Sequence, residues 1–293
     1  MTLVVGYSPT RADRSPLDLG TTLARSIGTD LLVVAVVPAP WPTTVPGPSD
    51  REYRAWTKSE GERAVTEARA LLDDEDGDSV TTEVVAVPGR SVAATLEDQA
   101  KKVAAGMVIV GSAEHGMMGR VVVGSTADRL LHSSPIPVAV ATRGFRAPQE
   151  GRVTRATCSF RADEASHSAL ERTAEICAQT GASLRVVTFG VLGQQMYPPE
   201  VRGEHQILDA FVTDTSKAQD AAVAALPGGG EDVETLVATG RDWPEALGQL
   251  DWQDSDVLVV GSSPTGILAR VFIGTNATRI VRHSPVPAVV VPR

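Results

Sequence analysis

Residues 107–143 read MVIVGSAEHGMMGRVVVGSTADRLLHSSPIPVAVATR, and residues 257–293 read VLVVGSSPTGILARVFIGTNATRIVRHSPVPAVVVPR. The two stretches align without a gap at an offset of 150 residues. Gly111 pairs with Gly261, Arg120 with Arg270, Gly124 with Gly274, Arg129 with Arg279, Pro135 with Pro285 and Pro137 with Pro287. A repeat of this length means one structural plan used twice. Upstream the match thins but keeps its order: Gly89-Arg90 answers Gly240-Arg241, and Gly28 answers Gly181. The chain therefore divides into residues 1–146 and 147–293, joined by the short polar stretch from Arg143 to Gly151.

Each half alternates strand and helix. Leu3–Gly6 is a short apolar strand, and Leu31–Val37 is a continuous apolar run suited to a strand buried on both faces. Between them Leu19, Leu23 and Ile27 recur every four residues, which predicts an amphipathic helix over 15–28 that ends at Gly28. The same reading gives helices over 52–72, 91–104 and from Ser125 to His132, and strands over 81–87, 107–110 and 138–141. Helices at 165–180 and 209–226 repeat the plan in the second half. Strand–helix alternation with apolar strands predicts an α/β protein with right-handed crossovers and doubly wound parallel sheets.

Composition narrows the partners. The 293 residues are 42% hydrophobic but only 4% aromatic, so Val, Leu, Ile and Ala must build the core. A net charge of −9 makes nucleic acid and anionic lipid poor partners. The N-terminus opens directly on a strand, and no apolar run approaches the roughly 20 residues of a membrane span. Cys158 and Cys177 show no metal-clip spacing and read as reduced thiols of a cytoplasmic protein.

Open α/β sheets bind ligands beyond the carboxyl ends of their strands. Here the loop leaves the strand ending at Val110, turns at Gly111, and re-enters helix at Gly124-Ser125-Thr126. Glycines admit a ligand close to the backbone, and the free amides of a helix start favour an anion such as phosphate. Glycines that only make turns explain the pattern equally well.

The spacing Gly-x2-Gly-x9-Gly-Ser/Thr, followed by a helix and an x-Pro-Val strand such as Ser134-Pro135-Ile136-Pro137-Val138, resembles the universal stress protein family. The resemblance covers the whole chain as a tandem pair. It implies two five-stranded, Rossmann-like sheets packed as a pseudo-dimer through their last strands, 138–141 and 288–291. A homodimer of whole chains is a further expectation. Some members of the family bind ATP through this loop and others bind no nucleotide. Carried over residue by residue, Gly111, Gly124 and Ser125 match in the first half, and Gly261, Gly274 and Thr275 in the second, with Val110, Thr126 and Asn276 flanking them. Val37 stands where the family contacts adenine.

The middle glycine is replaced by Glu114 in one half and Pro264 in the other. A carboxylate at Glu114 opposes a polyanion by ~1–4 kcal/mol at a few Å and intermediate dielectric, unless Mg²⁺ accompanies ATP and bridges the two. Pro264 removes one amide, but the second loop carries no carboxylate, which makes the second half the slightly better candidate of the two. The aspartate that family ATP binders carry after the first strand is Tyr7 in the first half and, by alignment, Cys158 in the second. The expectation is thus a binding module with partly degenerate adenine-nucleotide clefts and no turnover. A weak ATPase or nucleotidyl transferase using Arg120 and Arg270, and a scaffold with clefts filled by side chains such as Tyr7, are the alternatives.

Other motifs point away from catalysis. Neither a Walker loop nor a Gly-x-Ser-x-Gly elbow occurs. His132 and His283 follow the loop helices, where a cation complements the helix dipole. His115, His167 and His205 lack partners in sequence. The Pro-rich run from Pro38 to Pro48, anchored by Trp41, reads as a lid or a surface loop, with a shorter counterpart at 194–199.

Overall fold

The computed structural model describes the chain except residues 9–12, 41–46, 74–79, 114–116, 192–203, 229, 231, 263–274 and 293, and gives only the backbone of residues 48, 73, 204, 205, 207 and 275. The first half runs β1 (Thr2–Tyr7), α1 (Ser15–Ile27), β2 (Asp30–Pro38), α2 (Pro48–Asp73), β3 (Thr82–Gly89), α3 (Val92–Lys102), β4 (Met107–Val110), α4 (Ser125–Ser133) and β5 (Val138–Val140). The second runs β6 (Arg155–Ser159), α5 (Glu164–Thr180), β7 (Ser183–Val191), α6 (Glu204–Ala224), β8 (Glu234–Gly240), α7 (Trp243–Leu247), β9 (Asp256–Gly261), α8 (Thr275–His283) and β10 (Ala288–Val291). The Pro-rich lid candidate 41–46 and its counterpart at 194–199 lie outside the described residues. The helix after the Pro-rich run begins at Pro48, four residues earlier than the periodicity suggests. Proline suits a first turn, whose amide has no intrahelical partner.

Within each half the strands are parallel in the order 3-2-1-4-5, and a single antiparallel pair joins the halves into one ten-stranded sheet, β3-β2-β1-β4-β5-β10-β9-β6-β7-β8. At the join Ala288 lies opposite Val140, Val289 opposite Ala139 and Val290 opposite Val138. The sheet is buried on both faces because its strands are apolar on both. Leu3, Val5 and Tyr7 pack with side chains of α1 and α2, and Val4 packs with those of α3 and α4. The second half repeats this, with α5 and α6 on the first face and α7 and α8 on the second. Two glycines act as the sequence suggests. Gly28 (φ 65°) and Gly181 (φ 74°) close α1 and α5 in the left-handed conformation that other residues resist.

Strand register fixes how the halves correspond. Leu3 opposes Met107 as Ala156 opposes Val257, so Val5 corresponds to Cys158 and Tyr7 to Phe160. The alignment of Tyr7 with Cys158 is therefore corrected: Cys158 lies within β6 two residues before Phe160, fully buried, and the ring of Phe160 takes Tyr7's place. Register also pairs Pro38 with Gly89 and Val191 with Gly240, which supports the Gly89–Gly240 correspondence.

One feature belongs to the second half alone. Arg155 and Asp256 open β6 and β9, and Arg185 lies in β7. The Asp256 carboxylate accepts from Arg155 Nη2 at 2.7 Å and from the Gln253 amide at 3.1 Å, and lies 3.7 Å from Arg185 Nη2. Arg185 is wholly buried, donates to Thr157 Oγ1 at 3.1 Å and to Asp251 at 2.7 Å, and stacks on Trp252. Arg155, foremost, and Arg185 hold the Asp251 carboxyl below the usual carboxylate range. Register places Thr2, Gly106 and Leu32 at the positions of Arg155, Asp256 and Arg185, so the first half has no such ionic cluster there.

Candidate functional site

The strand order reverses between β1 and β4, the point where open α/β sheets receive their ligands. Gly111 leaves β4 at this point. A Cβ at Gly111 would sit 3.0 Å from an Asp13 carboxylate oxygen and 3.3 Å from the Pro16 ring, so the glycine lets the start of α1 approach the loop. Asp13 was not singled out from the sequence. Its signal is the run Asp-Arg-Ser-Pro ahead of a helix: the carboxylate accepts from the Ser15 amide at 3.0 Å, ordinary helix-start chemistry that also brings the acid against the loop.

The loop's two limbs are pinned to each other. Ala113 N donates to Val122 O at 2.8 Å. The Ser112 hydroxyl donates to Ala141 O at 2.6 Å and accepts from Val122 N at 2.9 Å, anchoring both limbs to the end of β5. The chain then reaches Gly124, extended at φ −85° and ψ 174°, which precedes α4 with no side-chain cap on the helix. Gly124 lies so close to Ala113 that an added Cβ would come within 3.2 Å of the alanine's Cβ. The first turn of α4, with Ser125 exposed and Thr126 half-buried, therefore starts beside the strand exit. Val110 is buried on the α3–α4 face beneath it. Glu114 lies outside the described residues.

In the second half Gly261 ends β9, and an added Cβ would stand 2.8 Å from the carbonyl of Ala165, so the backbone of α5 packs directly on it. Ser262 meets the last strand through its backbone amide, which donates to Val291 O at 2.9 Å, where Ser112 uses its hydroxyl. Pro264, Arg270 and Gly274 lie outside the described residues, Thr275 opens α8, and Asn276 is half-buried.

The remaining candidates separate. Tyr7 is buried at the end of β1, where burial and then Glu67 push its phenol up from its ordinary pKa. Val37 is buried in β2 and lines a cleft of about 550 Å³ at the carboxyl ends of β2 and β3, with Gly89 and Arg90. Arg120 reaches across the join: its Nη1 donates to the carbonyl of His283 at 2.7 Å. Burial, then Arg120, lowers the pKa of that histidine. His132 Nδ1 lies 2.6 Å from Asp128 O, and His167 stands edge-on to Phe160 with ring centroids 4.9 Å apart. Among the described residues no group of three His, Cys, Asp or Glu side chains is arranged to hold a metal.

Burial drives both thiols upward, Cys158 to about 12 and Cys177 to about 11, from an ordinary value of 9. Two results follow. In native protein at pH 8, neither thiol will react with Ellman's reagent on the minute timescale, whereas both will in urea. Stability will also fall at high pH. The unfolded chain releases these protons near pH 9 and the folded chain holds them to about 11 or beyond, so an advantage intact below pH 9 is withdrawn between about 9 and 11. Urea midpoints of the parent and a Cys158→Ala, Cys177→Ala variant across that range measure it; parallel curves would refute the assignment.

Comparison with known proteins accords with this geometry. The model of the universal stress protein family matches residues 1–142 and again 161–292. A universal stress protein of Mycobacterium tuberculosis is 38% identical over 297 residues, covering 100% of both chains. Another, from Mycolicibacterium smegmatis, is 26% identical over 266 residues, covering 88% of this chain and 85% of its own. The crystal structure of a universal stress protein from Archaeoglobus fulgidus superposes with a TM-score of 0.61 at 13% identity, covering 99% of this chain and 97% of that one. With two matched copies that each build the 3-2-1-4-5 sheet, the chain belongs to the universal stress protein family as a tandem member.

Proposed function

We propose that the chain is a cytoplasmic stress-response module that binds adenine nucleotide, ATP foremost, at its glycine loops and does not turn it over. The observation that carries this reading is the start of α4. An uncapped helix N-terminus sits beside Gly111 and Ala113 at the strand-order reversal, where backbone amides and the helix dipole favour phosphate. The cleft holding Val37 and Arg90 has room for the remainder of a nucleotide. Mg²⁺ would enter only with ATP. Asp13 would then be the carboxylate beside the loop, in place of the acid that Tyr7 displaces from the end of β1.

The test is nucleotide content. Adenine nucleotide should appear in the supernatant of heat-denatured protein, and a Gly124→Asp, Gly274→Asp variant should lack it. Asp is a favoured N-cap, so the helix keeps its start. Its charge opposes phosphate by ~1–4 kcal/mol, a loss of about 5-fold to nearly 1,000-fold in affinity. Equal nucleotide in parent and variant rejects the site, and phosphate release by the parent above the variant would favour an ATPase instead. A second reading has its own observation. The rings of Tyr7 and Phe160 are 5% and 1% exposed, so both strand ends are plugged by core side chains, as in a scaffold without ligand. Nucleotide-free supernatant, with no ATP-induced rise in melting temperature, selects it.

A further inference from the structure

A cavity of about 330 Å³ lies between α1 and α5, on the face of the sheet opposite α4 and α8 and away from the glycine loops. The halves differ along its wall. At matched positions the first half carries Leu3, Ile27 and Met107, and the second carries the smaller Ala156, Thr180 and Val257; all six line the cavity.

The lining is mostly apolar, Leu23 and Val289 included, and the hydroxyls of Ser26, Thr173 and Thr180 donate to the carbonyls of Thr22, Ala169 and Ile176. The Cys177 thiol on its wall stays protonated, since burial lifts it to about 11. Protein interiors pack as densely as organic crystals, with few voids larger than a water, and an apolar void forfeits the contacts of every side chain around it. On α5 the lining reaches the surface, where Ile176 is 47% exposed and Arg172 and Glu175 are exposed.

We propose that this cavity is a binding site for an uncharged apolar molecule of about a dozen non-hydrogen atoms. The size follows from comparison: an apolar cavity of about 150 Å³ holds one benzene, and this one is about twice as large. The absence of charge follows from the rim. Arg172 and Glu175 offer one charge of each sign, so neither an acid nor an amine gains from the pair, and the interior offers no ionised partner to either.

The probe is 4-fluorobiphenyl, followed by ¹⁹F NMR on the full chain. One saturable site per chain is expected, with millimolar ATP failing to displace the probe. Ala156→Leu and Thr180→Ile restore first-half side chains and should each weaken binding at least tenfold. Thr180 is half-buried in the last turn of α5, so its variant decides the matter if Ala156→Leu does not fold. Three results each overturn the proposal: no saturable binding to the parent, undiminished binding by the filled variants, or displacement by ATP.

Discussion

Asp256→Ala will destabilise the folded chain by about 3–5 kcal/mol, read as a lower urea midpoint at unchanged slope. The carboxylate is buried between two guanidinium groups, receiving 2.7 Å hydrogen bonding from Arg155 and facing Arg185 at 3.7 Å. Removing it leaves two positive charges with much of their solvation already stripped, because the side chains of Arg155 and Arg185 are 17% and 1% exposed. Against a typical total of 5–15 kcal/mol, that is a large fraction. Replacing Arg155, Arg185 and Asp256 together by the first half's Thr, Leu and Gly should be far milder, since no charge is then stranded. A single variant no worse than the triple one would show that the cluster is screened by water and contributes little.

Val290→Asp will cost several kcal/mol and will unfold both halves in one transition. Val290 is fully buried at the join, opposite the equally buried Val138. A carboxylate there has neither water nor a partner, and desolvation of one ion costs several kcal/mol even after relaxation. The affected ladder belongs to both halves, so far-ultraviolet circular dichroism and tryptophan fluorescence should melt together, in the variant as in the parent. Two separated transitions, or a melting temperature within a few degrees of the parent's, would mean that the antiparallel pair does not hold the halves together in solution.

Much of the fold could be read from the sequence because the strands are buried on both faces and the repeat is gapless where it matters most. Leu31–Val37 has no polar interruption, and Gly28 and Gly181 end their helices as glycines in the left-handed region do. The Cys158 assignment failed for a definite reason. The offset between halves is 153 residues at β1 and β2, 151 at β3 and 150 from β4 onward, because the intervening segments differ in length. Sequence similarity is too weak near β1 to reveal the drift, and only hydrogen-bond register fixes it. Asp13 was invisible for another reason: its position against Gly111 depends on how α1 meets β4, a tertiary contact that no spacing encodes. Arg120 was legible as a matched loop residue, but its acceptor is a carbonyl 163 residues away.

The antiparallel pair at the centre sets how the two clefts stand toward each other. Because β5 and β10 run in opposite directions, the carboxyl ends of the two parallel sets point to opposite rims of the shared sheet. The two candidate sites at those strand ends therefore face opposite walls, and no single small guest could touch both. Arg120 is a direct link between the halves on this side of the join. It ties the first loop to the final turn of the helix that follows the second loop.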